Sequence, residues 1–171
     1  MENLELLPTE AKSLRERSRE LEVAEVTKPE FQEYLDALIV KMHAANGVGL
    51  ASPQIGKNIR CVVIQPDPYV APEILINPVI TKKSEALLES EEGCLSVPGF
   101  HATVPRPASV TVRGLDREGR ERIVDAEGFL ARAIQHEMDH LDGILFVDRL
   151  RGVQRRLILR RIESLRRHGQ W

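Results

Sequence analysis

Apolar residues at Phe31, Leu35, Leu38 and Met42 recur three or four positions apart up to Asn46-Gly47, the spacing that lines one side of an α-helix with core-facing groups. Thr27 and Glu30 read as a T-x-x-E capping box ahead of them, so the pattern predicts a helix over 29–45. Beyond Gly47 the period changes. Short β-rich runs at 60–65, 74–80 and 108–115 alternate with segments rich in Pro, Gly and Asp and predict a sheet. Val110 and Val112, the turn sequence Asp116-Arg117-Glu118-Gly119 and the run at 122–124 predict a hairpin. Helical spacing returns with Leu130, Ala133, Ile134, Glu137 and Leu141, giving a helix over 127–141 that Gly143 ends. A last stripe of Leu150, Val153, Leu157, Ile162 and Leu165 predicts a C-terminal helix. Residues 14–23 mix charges with few apolar anchors and stay open between a short helix and an ordered arm. The order helix, strands, helix, helix belongs to an α+β domain.

Composition narrows the class. A chain of 171 residues with 42% hydrophobic content is of a size to build one core, so we expect a single domain over 1–171, with an N-terminal arm at 1–26 and a basic helix at 149–168. Aromatic residues make up 4% of the chain, too few for the stacking platforms that grip single-stranded nucleic acid, and DNA binding is not expected. The formal charge of -2 hides an asymmetry, because residues 149–168 hold eight Arg and one Glu. No stretch approaches the roughly 20 apolar residues that span a bilayer. The start of the chain, dense in Glu and Arg, fits neither a secretory signal nor a transit peptide; the expected location is the cytoplasm. Two cysteines, Cys61 and Cys94, make no disulfide framework. Cys61 lies in the apolar run Cys61-Val62-Val63-Ile64 and is expected as a small buried hydrophobe.

Chemistry concentrates at 136–140, His-Glu-Met-Asp-His. On a helix this spacing brings His136 and His140 onto one face, where both imidazoles can reach one metal ion. Glu137 then lies beside the ion, where a carboxylate can take a proton from an attacking water and return it to the leaving group. A catalytic site of this kind needs a third protein ligand; His43, His101, His168, a carboxylate or Cys94 are available. Cys94 is favoured by thiolate chemistry and by its setting in Glu92-Gly93-Cys94-Leu95-Ser96, while His43 and His168 read as surface residues. A zinc endopeptidase shares the motif, and a silent protein with a structural metal is the alternative from another class; the latter does not need Glu137.

Three segments together resemble the signatures of the peptide deformylase family: Gly47-Val48-Gly49-Leu50-Ala51-Ser52-Pro53-Gln54-Ile55-Gly56, Glu92-Gly93-Cys94-Leu95-Ser96-Val97-Pro98-Gly99 and Gln135-His136-Glu137-Met138-Asp139-His140-Leu141-Asp142-Gly143. The resemblance implies mostly antiparallel sheets packed around a central helix that carries the motif. It makes Cys94, His136 and His140 the ligands of one divalent ion, Fe2+ in the cell, with Zn2+ or Ni2+ able to take its place. Glu137 is then the general acid and base, and the Gln54 side chain and the Leu95 backbone N–H are the donors to a developing oxyanion. Val48, Gly49 and Gly93 would receive the substrate backbone, and Val48, Leu130 and Ala133 its methionine side chain, with Arg132 keeping the wall from being wholly apolar. Glu92 and Arg106 are expected as a supporting ion pair. The implied partners are N-formylmethionyl nascent peptides; the basic C-terminal helix has two readings, a solvated face over an apolar stripe or, as the resemblance allows, a contact with ribosomal RNA, and the expected state is a monomer. Two positions depart from the family pattern. Ser52 stands where a second Ala is usual, with a hydroxyl free to bond local backbone, and His101 stands where some relatives carry an Arg.

Overall fold

A computed structural model describes residues 4–168, so the first three residues of the expected arm lie outside the described residues. The rest of the arm is ordered. It passes through a 3₁₀ turn at Lys12–Arg15 and an isolated parallel bridge from Arg19 to Ile59, then enters helix α1 (Val23–Val26). Helix α2 (Pro29–Ala44) follows, but the T-x-x-E box expected at Thr27 and Glu30 does not form: Lys28 is the N-cap and makes no side-chain cap, while Thr27 closes α1. Pro29 explains the shift, since a residue with fixed φ and no N–H suits the first helical position and places the cap one residue past Thr27. The box sits one helix earlier, where the Glu22 backbone N–H donates to Glu25 Oε2 at 2.9 Å.

Strand β1 (Gly49–Ala51), a 3₁₀ turn at Ser52–Ile55, and strands β2 (Cys61–Ile64) and β3 (Glu73–Lys83) come next. A hairpin of β4 (Leu87–Cys94) and β5 (Val97–Pro107) precedes β6 (Ser109–Leu115) and β7 (Glu121–Glu127). Helices α3 (Gly128–Leu141), α4 (Phe146–Arg149) and α5 (Gly152–Arg167) complete the chain. Among the described residues the strands form a sheet in the order β1-β2-β3-β6-β7 and the separate pair β4-β5, and every strand pairing is antiparallel.

Burial on both faces of the large sheet explains why β2 is an unbroken apolar run rather than an alternating one. Val62 and Ile64 face α3, in a cluster with Leu75, Val110, Val112, Ile134 and Leu141. Cys61 and Val63 face α2, in a cluster with Leu35, Leu38, Met42 and Ile76. A third cluster joins Val97 and Val104 of β5 to Phe146 and Val147 of α4 and Ile162 of α5. The expected stripe holds at Leu150 and Ile162, which are buried in this cluster, and fails at Val153 and Leu157. Ile158, Leu159 and Ile162 pack on the cluster, whereas Val153 and Leu157 are each 60% exposed. At 100° per residue, positions 153 and 157 lie about 100–180° around the helix from 158 and 162, so one narrow stripe cannot hold both sets. Gly143, at φ 72, ends α3 in the left-handed conformation as expected. No helix among the described residues is long and apolar enough to cross a membrane.

Candidate metal centre

Three elements converge on one cavity of about 400 Å³, a volume in the usual range for a small-ligand site. The tip of the β4-β5 hairpin brings Cys94, α3 brings His136 and Glu137, with the fully buried His140 one turn further along the helix, and the turn after β1 brings Gln54. Ligand atoms of Cys94, His136 and His140 all lie within 4.8 Å of one another, and Cys94 Sγ is 3.3 Å from His140 Nε2. The two imidazoles meet edge to face with centroids 5.1 Å apart, the outcome of four-residue spacing on a helix. A soft thiolate with two imidazoles, opening onto a cavity, is a donor set that fits a divalent transition metal. A second observation agrees. Of the three buried side-chain atoms without a hydrogen-bond partner among the described residues, two belong to this motif, Glu137 Oε2 and His140 Nδ1, and a buried carboxylate oxygen left unpaired is costly without a cation or a substrate group nearby.

Glu92 orients the first imidazole: His136 Nδ1 lies 3.0 Å from Glu92 Oε2, which turns the other ring nitrogen toward the cluster. The expected Glu92–Arg106 pair forms with two contacts, 2.6 and 2.9 Å, but it is one part of a larger buried network. Arg132 Nη1 also reaches Glu92, at 2.5 Å, and Val104 O, at 2.8 Å. Arg106 donates to Asp139 at 2.9 Å, and Asp139 accepts in turn from Arg149. Burial alone would raise the Glu92 carboxyl; the bonds to His136 and Arg106 overcome it and hold the group at about 2. Burial pushes Glu137 up to about 7, against the pull of His136 and Arg106; a cation at the cluster would oppose that rise. Burial lowers His140 strongly, and the charges of His136 and Arg106 add to it. His136 stands at about 10 in spite of burial, because Cys94 and Glu92 bond its protonated ring.

Gln54 is almost wholly buried. Its Oε1 accepts the Ala51 N–H at 2.8 Å, so the amide nitrogen points the other way, 3.2 Å from Ser96 Oγ and 3.8 Å from Cys94 Sγ. Val48, Gly49, Gly93, Leu95 and Ala133 line the cavity with it. Gly49 is required by close approach, since a Cβ there would fall 2.5 Å from Glu137 Oε1. Leu130 is not brought to the cavity: it packs on the core beneath the sheet, and the neighbouring Phe129 lines the mouth in its place. Arg132 also lines the wall, although its guanidinium is engaged by the hairpin. His101 lies opposite Gly93 in the hairpin register and reaches the cavity rim. Ser52 bonds a side chain rather than local backbone, receiving the Tyr34 hydroxyl at 2.7 Å. His43 and His168 are exposed and apart from the cluster. Asp139 and Arg149 escaped the sequence reading, though Asp139 lies inside the motif, three residues after His136 and so on the same side of α3.

An α+β domain with an H-E-x-x-H helix and a Cys-His-His cluster at the floor of a cleft defines a metal-dependent hydrolase. The family model described as polypeptide deformylase matches residues 3–156. A peptide deformylase of Xylella fastidiosa is 44% identical over 158 residues, covering 91% of this chain and 92% of that protein. The crystal structure of peptide deformylase from Ehrlichia chaffeensis superposes with a TM-score of 0.87 at 32% identity, covering 98% of this chain and 99% of that one. A peptide deformylase from Synechococcus elongatus, solved in complex with actinonin, gives 0.85 at 38% identity, over 98% of this chain and 88% of that one. The chain belongs to the polypeptide deformylase family, hydrolases that remove the formyl group from the N terminus of nascent peptides.

Proposed function

We propose that Cys94, His136 and His140 hold the metal, that Glu137 is the general acid and base, and that Gln54 Nε2 and the Leu95 backbone N–H stabilise the oxyanion. The observation that carries this reading is the pinning of Gln54: with Oε1 bound to the Ala51 N–H, Nε2 faces Cys94 across 3.8 Å, where a donor can meet charge as it develops. A divalent ion bound at the cluster supplies Lewis acidity that makes water nucleophilic near neutral pH.

The peptide adds as a strand beside β1, the edge strand of the large sheet, with Val48 and Gly49 on one side and Gly93 on the other. Its first side chain enters between Val48, Phe129 and Ala133, beside Arg132. Glu137, buried beside Gly49, accepts a proton from the attacking water. As the new C–O bond forms at the formyl carbon, Gln54 and Leu95 donate to the formyl oxygen. Glu137 then returns the proton to the nitrogen as the C–N bond breaks, leaving formate and a free amine. The test is formate release from a formyl-methionyl tripeptide by protein loaded anaerobically with Fe2+, beside a chelated sample and Glu137→Ala. We expect the variant to lose at least about 100-fold, the ordinary share of a general base; formate release at the wild-type rate by Glu137→Ala would overturn the assignment.

Fe2+ is proposed as the working ion, with Zn2+ and Ni2+ able to occupy the same donors. We further propose one monomeric domain acting in the cytoplasm, where formylated nascent chains arise. The exposed Arg155, Arg156, Arg160 and Arg161 on α5 support a ribosome contact through RNA phosphates. Because α5 also covers the third core cluster, truncation confounds the test. Neutralising these four arginines should reduce ribosome co-sedimentation while leaving deformylation intact, and unchanged sedimentation would argue against the contact.

A further inference from the structure

One stretch of chain, residues 7–18, touches the backbone of all three segments that carry the site. The Leu7 N–H donates to Gln54 O at 2.8 Å, the Thr9 hydroxyl donates to Ser96 O, and the Ser18 N–H donates to Leu141 O at 2.8 Å. Ser13 Oγ adds a bond to Pro53 O at 2.9 Å. Close packing accompanies the bonds, since a Cβ on Gly143 would lie 2.7 Å from the Arg15 carbonyl.

The first two contacts act on one pair. Gln54 Nε2 is 3.2 Å from Ser96 Oγ, so Leu7 fixes the backbone of one partner and Thr9 the backbone of the other, two residues apart on one strand of chain. Thr9 is itself buried, at 6% exposure, and a buried hydroxyl with a single carbonyl target is a specific device rather than a solvated contact. We infer that Thr9 is a positioning residue for the deformylation reaction: through Ser96 it sets the separation between the Cys94 hairpin and the Gln54 amide. The inference rests on the role assigned to Gln54 above. Misplacement of a catalytic group by about 1 Å can reduce turnover about 100-fold, so a loosened Ser96 matters even though Thr9 does not touch substrate.

The experiment is a double-mutant cycle on the metal-loaded full chain with Thr9→Val, Gln54→Ala and both together, reading kcat, KM and thermal unfolding, with Thr9→Ser as the conservative rescue. We expect Thr9→Val to lower kcat about 10-fold with KM nearly unchanged, Thr9→Ser to recover it, and the double variant to be no slower than Gln54→Ala, because coupled residues are not additive. Should Thr9→Val not fold, Thr9→Ala removes the same hydroxyl without the branched side chain and carries the same expectation. If the Thr9 variant keeps wild-type kcat, or its effect multiplies with that of Gln54→Ala, the inference is wrong and Thr9 serves stability alone. If Gln54→Ala itself leaves kcat unchanged, both the inference and the oxyanion role fall; if Gln54→Ala is slow and the Thr9 variant is not, only the inference falls.

Discussion

Two cysteines with the same free side chain have been given opposite chemistry by their surroundings. Burial pushes the Cys61 thiol up to about 12, only partly offset by the Ser52 hydroxyl, so at neutral pH it stays an inert thiol between the sheet and α2. Cys94 is half-buried, lines the cavity and meets His140. We expect a chelated, folded sample to present one thiol to Ellman's reagent, and that thiol to be protected when the ion is restored; rapid labelling of Cys61 in folded protein would contradict the picture. Both environments were foreseeable from the flanking residues, apolar for Cys61 and Gly-containing for Cys94. The replacement of Leu130 by Phe129 at the cavity was not, because adjacent helical positions diverge by about 100° and only the docking of α3 decides which one faces the cleft.

Short elements here are held by side chains rather than by length. Helix α1 spans 4 residues, too few to persist alone, and its box depends on Glu25. That carboxyl is drawn down to about 2 from 4.5, first by the Arg19 guanidinium and then by the Glu22 N–H. A folded value below the unfolded one means that the stabilisation is fully present above about pH 4.5 and is lost as pH falls from there toward 2. A carboxyl NMR titration of Glu25 should therefore show a midpoint well below 4.5; a midpoint at 4.5 would mean the box is not formed in solution. Among the larger elements, α2, α3 and the β6-β7 hairpin were legible because their periodicity is strong and their ends carry Pro or Gly. The β4-β5 hairpin was not: Leu87–Cys94 exposes nearly every residue and carries four acidic or hydroxyl side chains at Glu89, Ser90, Glu91 and Glu92, so it lacks the alternation that marks a half-buried strand.

Across the whole molecule the buried charges act as the joint between its parts. Arg106 of β5 binds Glu92 of β4 and Asp139 of α3, and Arg149 of α4 binds Asp139 again. Arg106 and Glu92 are 5% and 4% exposed at their side chains, so removing one member leaves charge without compensation. Arg106→Leu should lower the unfolding free energy by about 3–5 kcal/mol and also weaken metal retention, measured by urea denaturation and by metal content after dialysis. A change below about 1 kcal/mol would assign the network the small weight of a surface pair.

The local chemistry is written in the order of the amino acids: two histidines one helical turn apart with a carboxylate between them, a cysteine that follows a glycine, and enough periodic apolar surface for two long helices and a sheet. These follow from spacing along the chain, which fixes which side chains share a face. It takes the folded chain to bring Cys94 to His140 across 46 positions, to turn the Gln54 amide nitrogen toward Cys94, and to lay the arm from Leu7 to Ser18 against the three segments. Contacts between distant residues depend on how packed layers dock, and docking is set by the summed burial of whole faces.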